Sequence, residues 1–212
     1  MILQSKRNVS SEGLTINRLY PVIAYEINLD NDISACKIMD DNRSLSWRQI
    51  DRFDVVSYTK EGYIKAGDDN RVLKYLYENL SDKDFFVDYY SENEKSIIAS
   101  EKLENAFISI LSNELDSKEL LSYLEILGYQ DENADLLVKA FFIKAKENDI
   151  NIFAKMLYDK IYMLNNYLFE IIIKSLSYYK TTEIESIFME LYINSSSYSE
   201  EIMKIVSNYL NI

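Results

Sequence analysis

Apolar and polar positions change period along this 212-residue chain. From Tyr20 to Tyr58 the apolar residues alternate with polar ones or cluster in short runs. Alternation with period two puts successive side chains on opposite faces of a strand. The pattern predicts strands over 20–27, 33–39, 44–48 and 54–58, and 1–6 supplies a fifth. Asp30-Asn31-Asp32 and Asp40-Asp41-Asn42-Arg43 separate them. Asp and Asn favour such turns because their side chains bond nearby backbone amides and tolerate left-handed geometry. Gln49 to Phe53 reads as one helical turn. Pro21 suits a strand start or a sheet edge, since it has no amide to donate.

Beyond Gly67 the spacing of apolar residues becomes about 3.6, the period of a helix with one buried face. A helix is expected from Asp68 to about Asn79, with Leu73, Leu76, Tyr77 and Leu80 on one side. Capping residues then recur before apolar-periodic segments, at Ser81-Asp82, Ser117, Asp131, Asp149, Thr181-Thr182 and Ser199. The segments pair. Second helices are anchored at Leu103, Leu137, Leu168 and Ile202, spaced 34, 31 and 34 residues apart. First helices are anchored at Phe86, Leu121, Phe153 and Ile184, spaced 35, 32 and 31. Two series with one period indicate a repeat of helix pairs. The expected fold class is α+β, with a small β-barrel over residues 1–66 and an all-helical domain of stacked helix pairs over 67–212.

Two resemblances follow. Leu14-Thr15, Tyr20, Val22-Ile23, Ile38, Asp40-Asp41, Trp47 and Phe53, with a helical turn before the last strand, resemble the small SH3-like barrels of bacterial and phage proteins. The usual glycine of the second hairpin is replaced by Asn42 or Arg43. The 31–35 residue helix pairs resemble irregular HEAT-like repeats; the tetratricopeptide tryptophan is absent from this part. A small barrel joined to helix pairs is similar to modular bacterial toxin-immunity proteins.

Charge sharpens that reading. The net charge is −12, and residues 1–60 balance eight basic against eight acidic residues, so the excess lies beyond them. An acidic surface repels nucleic acid and anionic membrane and steers basic proteins inward. The residue two positions before each second-helix anchor is Glu101, Asp135, Asn166 or Glu200. In stacked pairs these positions line up in a column. First-turn acids also complement the helix dipole without any partner. With Glu104, Asp131, Glu132 and Tyr167 they form the expected partner-binding set.

Candidate chemistry is thin. Histidine is absent, which removes the commonest general base and metal ligand, and Cys36 is the single cysteine. The four glycines form no phosphate-cradling loop, and no serine sits in a G-x-S-x-G turn. Asp40-Asp41-Asn42 and Asp68-Asp69-Asn70 carry oxygen ligands for a hard cation but lack EF-hand spacing. Neither an enzyme, a metal nor a cofactor is expected. The lone cysteine, the short apolar start before Lys6 and Arg7, and the lack of a long apolar run predict a cytoplasmic address. The expected role is an immunity protein that neutralises a basic toxin, plausibly a nuclease, by covering its active site. A scaffold or adaptor is the alternative, as is a nucleic-acid-binding regulator using Arg43, Trp47 and Arg48.

Overall fold

A computed structural model describes residues 1–6, 13–69, 72–131, 133–158, 160–161 and 164–212. It divides into two compact units, Met1–Leu115 and Asp116–Ile212. The first combines antiparallel sheets with two helices, and the second is helical.

In the N-terminal unit, β1 (Ile2–Ser5), β2 (Leu19–Pro21) and β6 (Phe53–Ser57) form a sheet in the order β2-β1-β6. A second sheet runs β5-β4-β3-β8-β7. It contains β3 (Ala24–Ile27), β4 (Ile33–Met39), β5 (Leu45–Gln49), β7 (Tyr63–Asp69) and β8 (Val72–Tyr77). The strand expected over 20–27 is divided at Val22-Ile23, because Pro21 pairs with Ile2 while Ala24 pairs with Lys37. The Val22 amide donates to the Met1 carbonyl and the Ile23 amide to that of Lys37, so each corner residue feeds a different sheet. The expected small barrel is therefore two sheets that do not close.

Their facing sides share one core. Leu3 and Tyr20 come from one sheet, Tyr25, Cys36 and Ile38 from the other, and Phe53 from β6. The turn before β6 is a single 3-10 turn, Ile50–Arg52. In the first hairpin Asn31 takes a left-handed φ of 64°, and Asn28 Oδ1 accepts the Asp30 and Asp32 amides. In the second, Arg43 takes the left-handed position at φ 59°, where a glycine is the usual occupant.

The helix expected over 68–79 is instead part of the β7–β8 hairpin, and the expected domain boundary at 66/67 falls inside β7. The physical reason is two-sided cover. β8 lies between β3 and β7, and Leu73 and Tyr75 pack on the core, while on the opposite face Val72 and Leu76 are also partly covered and Lys74 is exposed. A strand shielded on both faces loses its alternation and mimics helical spacing. Next come α1 (Phe85–Tyr89) and α2 (Glu94–Glu114), which pack together. The face Ala99, Leu103, Ala106, Phe107, Ile110, Leu111 of α2 is buried at helical spacing, and α2 also lies on β1 and β2.

The C-terminal unit contains α3 (Ser117–Leu127), α4 (Ala134–Lys144), α5 (Glu147–Tyr158), α6 (Asn166–Leu176), α7 (Thr182–Ile193) and α8 (Glu200–Leu210). Adjacent pairs α3–α4 and α7–α8 are in contact. α5 touches α3 and α7, while α6 touches α4 and α8. This gives two layers, one of first helices and one of second helices. The anchors Leu137, Leu168 and Ile202 are buried, as are Leu121, Phe153 and Ile184. Thr181 and Ser199 cap α7 and α8 as expected, each accepting a first-turn amide. For α3 the cap is Asp116, one residue before the expected Ser117. Asp116 accepts the Lys118 and Glu119 amides, and Glu119 reaches back to the Asp116 amide at 2.8 Å, completing a capping box. Asn165 caps α6 by accepting the Leu168 amide at 2.8 Å. No described helix is long and apolar enough to cross a membrane.

Candidate functional site

The most distinctive polar constellation lies in the N-terminal unit. There the end of β6, the turn into β7, the end of β8 and the last turns of α2 surround a cavity of about 540 Å³. Pockets for small ligands span about 300–1,000 Å³. The spacing of α2 explains its innermost residue. Glu114 lies four residues after Ile110 and three after Leu111, so it falls on the buried face of the helix with only 4% of its side chain exposed.

A carboxylate in that position is costly unless it is paired and hydrogen-bonded. Glu114 is both. Its Oε1 lies 2.7 Å from the Met1 ammonium and accepts the Thr59 amide at 3.1 Å, while Oε2 accepts the Ser57 hydroxyl. The ammonium also donates to the Tyr63 hydroxyl at 3.0 Å, and that hydroxyl donates to the Val22 carbonyl at 2.5 Å. Burial lowers the amine's pKa from 8.0 despite the neighbouring carboxylate, and burial raises that of the Tyr63 phenol far above 10. One acidic residue thus ties the first strand, the β6–β7 link and the end of α2 together.

Tyrosines build the rest. Tyr25 stacks on Tyr75 at 5.0 Å and meets Tyr63 and Tyr58 edge-on at 5.1 and 5.8 Å. Tyr77 meets Tyr63 at 5.3 Å and shares a hydrogen bond with Ser109 at 2.9 Å. Gly62, at φ +79°, passes so close to Tyr77 that a Cβ there would lie 2.8 Å from the ring. Both the turn and the aromatic wall require glycine. The outer part of the cavity is bordered by Tyr58, Glu61 and Asn113, all exposed. This arrangement can hold a polar or positively charged group between ring faces and carboxylates.

No protein-family model, curated protein or solved structure matches the chain.

The residues expected to bind a partner belong to both units. Glu101 and Glu104 belong to α2 in the N-terminal unit, with Glu101 exposed and Glu104 half-buried. Asp131, Asp135, Asn166, Tyr167 and Glu200 belong to the C-terminal unit, and Glu132 lies outside the described residues. Asp131 Oδ1 accepts the Asn133 amide just ahead of α4. Asp135, Asn166 and Glu200 stand in the first turns of α4, α6 and α8, helices that touch in series. Asp135 lies 3.6 Å from Lys139, which in turn donates to the Tyr167 hydroxyl at 3.2 Å and approaches its ring at 5.5 Å. That network joins α4 to α6 and offsets one acidic charge of the expected column.

Asp40-Asp41 acts as a structural turn. Asp40 is buried and accepts from the Asn42 and Ser44 amides, the Ser46 hydroxyl and Arg48 at 3.0–3.1 Å. Asp41 accepts from Thr15, Arg18 and Tyr20 at 2.6–2.8 Å. Among the described residues no group of three or more Cys, Asp or Glu is placed to hold a metal. Trp47 and Phe53 of the quoted motif differ in burial. Phe53 is buried, but Trp47 is 40% exposed, with Lys37 5.9 Å from its ring and 4.1 Å from that of Phe86. Arg48 is engaged by Asp40, so the expected basic patch around Trp47 is partly consumed by the fold.

The Glu114 cavity escaped sequence reading because its walls come from residues near 1, 57–63, 77 and 110–114. No local motif joins them. One signal was present: a glutamate on the apolar face of α2, continuing the spacing of Phe107, Ile110 and Leu111.

Proposed function

We propose that the protein is a non-enzymatic, cytoplasmic binding protein that captures a basic protein, in the manner of an immunity protein covering a toxin's active site. The observation carrying this reading is charge. Met1–Leu115 holds fourteen Lys/Arg against twenty Asp/Glu, and Asp116–Ile212 holds nine against fifteen. Each unit therefore carries −6, and the acidity is not confined to the helical repeats. Acidic surface of this kind raises the encounter rate with a basic partner and makes binding fall with salt.

The fold reading supports a modular binder. The β1–β6 part is an SH3-like module: the chain's passage from β2 in one sheet to β3 in the other at Val22-Ile23, a 3-10 turn before β6, and β1 pairing with both β2 and β6 are its supports. Thr15, Tyr20 and Asp41 of the quoted motif also meet in one hydrogen-bonded cluster. The helical part is a HEAT-like stack, supported by the alternating contacts of α3, α5 and α7 and of α4, α6 and α8. Stacks of this kind offer extended surfaces to protein partners.

The test is capture by the immobilised full chain from cells that produce it. A basic protein should be retained at low salt and released as salt rises. Charge reversal at the exposed Glu101 and Glu200 should weaken retention several-fold. Retention of no basic protein, or retention indifferent to both salt and charge reversal, would sink the reading.

A further inference from the structure

The open half of the Glu114 cavity is not explained by the ties that Glu114 makes. Those ties use both carboxylate oxygens on the inner wall, yet the cavity of about 540 Å³ continues outward past Tyr58, Glu61 and Asn113. Three features there favour one kind of ligand. The first is the aromatic wall: Tyr58, Tyr63 and Tyr77 line the cavity, and the negative faces of such rings attract cations. The second is charge: two carboxylates, Glu61 and Glu114, border the cavity against one ammonium. The third is direct. The inner wall already seats an ammonium, that of Met1, between a carboxylate oxygen at 2.7 Å and a tyrosine hydroxyl at 3.0 Å. The same pair of group types, a carboxylate and tyrosines, recurs at the mouth in Glu61 and Tyr58.

We infer that this cavity is a binding site for an organic cation, an alkylammonium or guanidinium group, held between the tyrosine rings with Glu61 at its mouth. The group comes either from a Lys or Arg side chain of a protein or from a free small amine. Both sources share the same recognition: a flat or tetrahedral cation over ring faces, with a carboxylate as hydrogen-bond acceptor. The site stands on the geometry of the N-terminal unit and does not depend on the capture of a basic protein.

The experiment titrates the full chain with agmatine and, separately, with N-acetyl-arginine amide, following tyrosine ring resonances by NMR and heat by calorimetry. Binding should be saturable, with Tyr58, Tyr63 and Tyr77 the rings most perturbed. Tyr58→Leu should weaken it about fivefold, the size of a partly exposed cation–π contact. Glu61→Gln should weaken it about two- to threefold, as for an exposed ion pair. Both residues are exposed, so unchanged circular dichroism and melting temperature establish that the variants fold. Tighter binding of agmatine than of the blocked arginine assigns the site to a free amine, and the reverse assigns it to a protein side chain. No saturable binding of either cation, or binding that both variants leave unchanged, overturns the site. If the cations bind and no basic protein is captured, the site stands and the proposed partner falls.

Discussion

The two units are held together by different chemistry. In Met1–Leu115 the fold is framed by polar groups that have been taken out of water. Asp40, Arg18, Ser5 and Ser112 are buried, and Asp41 and Glu114 each gather three or more donors. In Asp116–Ile212 the buried side chains of the described residues are apolar or aromatic, and the polar contacts sit at helix ends or on side chains that are not buried, such as Lys139. Phe141 and Phe153 meet at 5.1 Å, and Phe188 lies 4.1 Å from Tyr209. The buried faces of the strands specify their register, and hydrogen-bonded carboxylates hold the turns and links between them. Amphipathic helices bury a whole face each and need polar groups only where the ladder ends. The first unit should therefore answer to charge and pH, and the second to volume.

The largest effects come from a matched pair of substitutions. Asp40→Ala removes the acceptor of two amides, the Ser46 hydroxyl and Arg48, and takes the buried carboxylate away from a partly buried guanidinium. Breaking such a pair costs about 3–5 kcal/mol. Phe153→Ala empties a fully buried ring site in the helical unit and costs about 3–5 kcal/mol through lost transfer energy and a cavity. The costs are similar but the conservative variants separate them. Asp40→Asn keeps the shape and loses the charge, and it should still destabilise strongly. Phe153→Leu keeps most of the volume and should recover most of the stability. The single tryptophan, Trp47, lies on β5, so its fluorescence reports the sheet unit, while far-UV circular dichroism is dominated by the helices. Denaturant melts read by both probes would break the comparison if Asp40→Asn proved harmless or Phe153→Leu proved as costly as Phe153→Ala.

Alkaline pH gives the next effect. Burial pushes the Cys36 thiol from 9.0 up to about 12, and it raises the Tyr20, Tyr25 and Tyr63 phenols well above 10. A raised pKa in the folded state means that the unfolded chain gives up its proton first. Stability from these groups is complete below pH 9 and is lost as pH climbs from 9 through the folded values. Two pH units above the thiol's unfolded value, Cys36 alone withdraws about 2–3 kcal/mol. In the helical unit Tyr129 is raised to about 12, and Tyr123 and Tyr209 are raised less. The fluorescence of Trp47 should therefore report unfolding at a lower alkaline pH than the helical signal does, and Cys36→Ala should move that midpoint upward. Coincident transitions unaffected by the substitution would mean that the thiol and phenols do not set the alkaline limit.

The same contrast decides what could be read from the sequence. Strand β4 and the helix anchors were legible because local pattern and burial agree there: Ile33–Met39 is a short apolar run between two turns, and Leu137, Leu168 and Ile202 recur at the period of a helix pair and are buried. β8 was misread because cover on both faces erased its period. The exposure of Trp47 was not legible, because an aromatic residue in a strand looks the same whether its face is covered or open. The exposure is a property of what packs above β5, which lies far along the chain. Asp40 and Asp41 were legible as a turn, but Asp41 was not legible as the hub of a network, since its partners Thr15, Arg18 and Tyr20 are more than twenty residues away. The Glu114 cavity needed four chain segments at once.

The smallest effect tests the polar part of the helical unit. Asp116 caps α3 through the Lys118 and Glu119 amides, and Glu119 closes the box on the Asp116 amide. These groups are exposed, so water can replace each lost bond, and Asp116→Ala should cost only about 1 kcal/mol. That is a fraction of the cost expected at Asp40, although both are aspartates that accept two backbone amides. The difference lies in burial: the bonds to the buried Asp40 carboxylate are part-buried, so water replaces them only in part, whereas those at Asp116 are exposed and are rehydrated. Substituting Glu119→Ala in the Asp116→Ala background should add little, because the box is already open. An equal cost for Asp116→Ala and Asp40→Ala, measured by the same denaturant melts, would mean that solvent access does not separate the two units as argued.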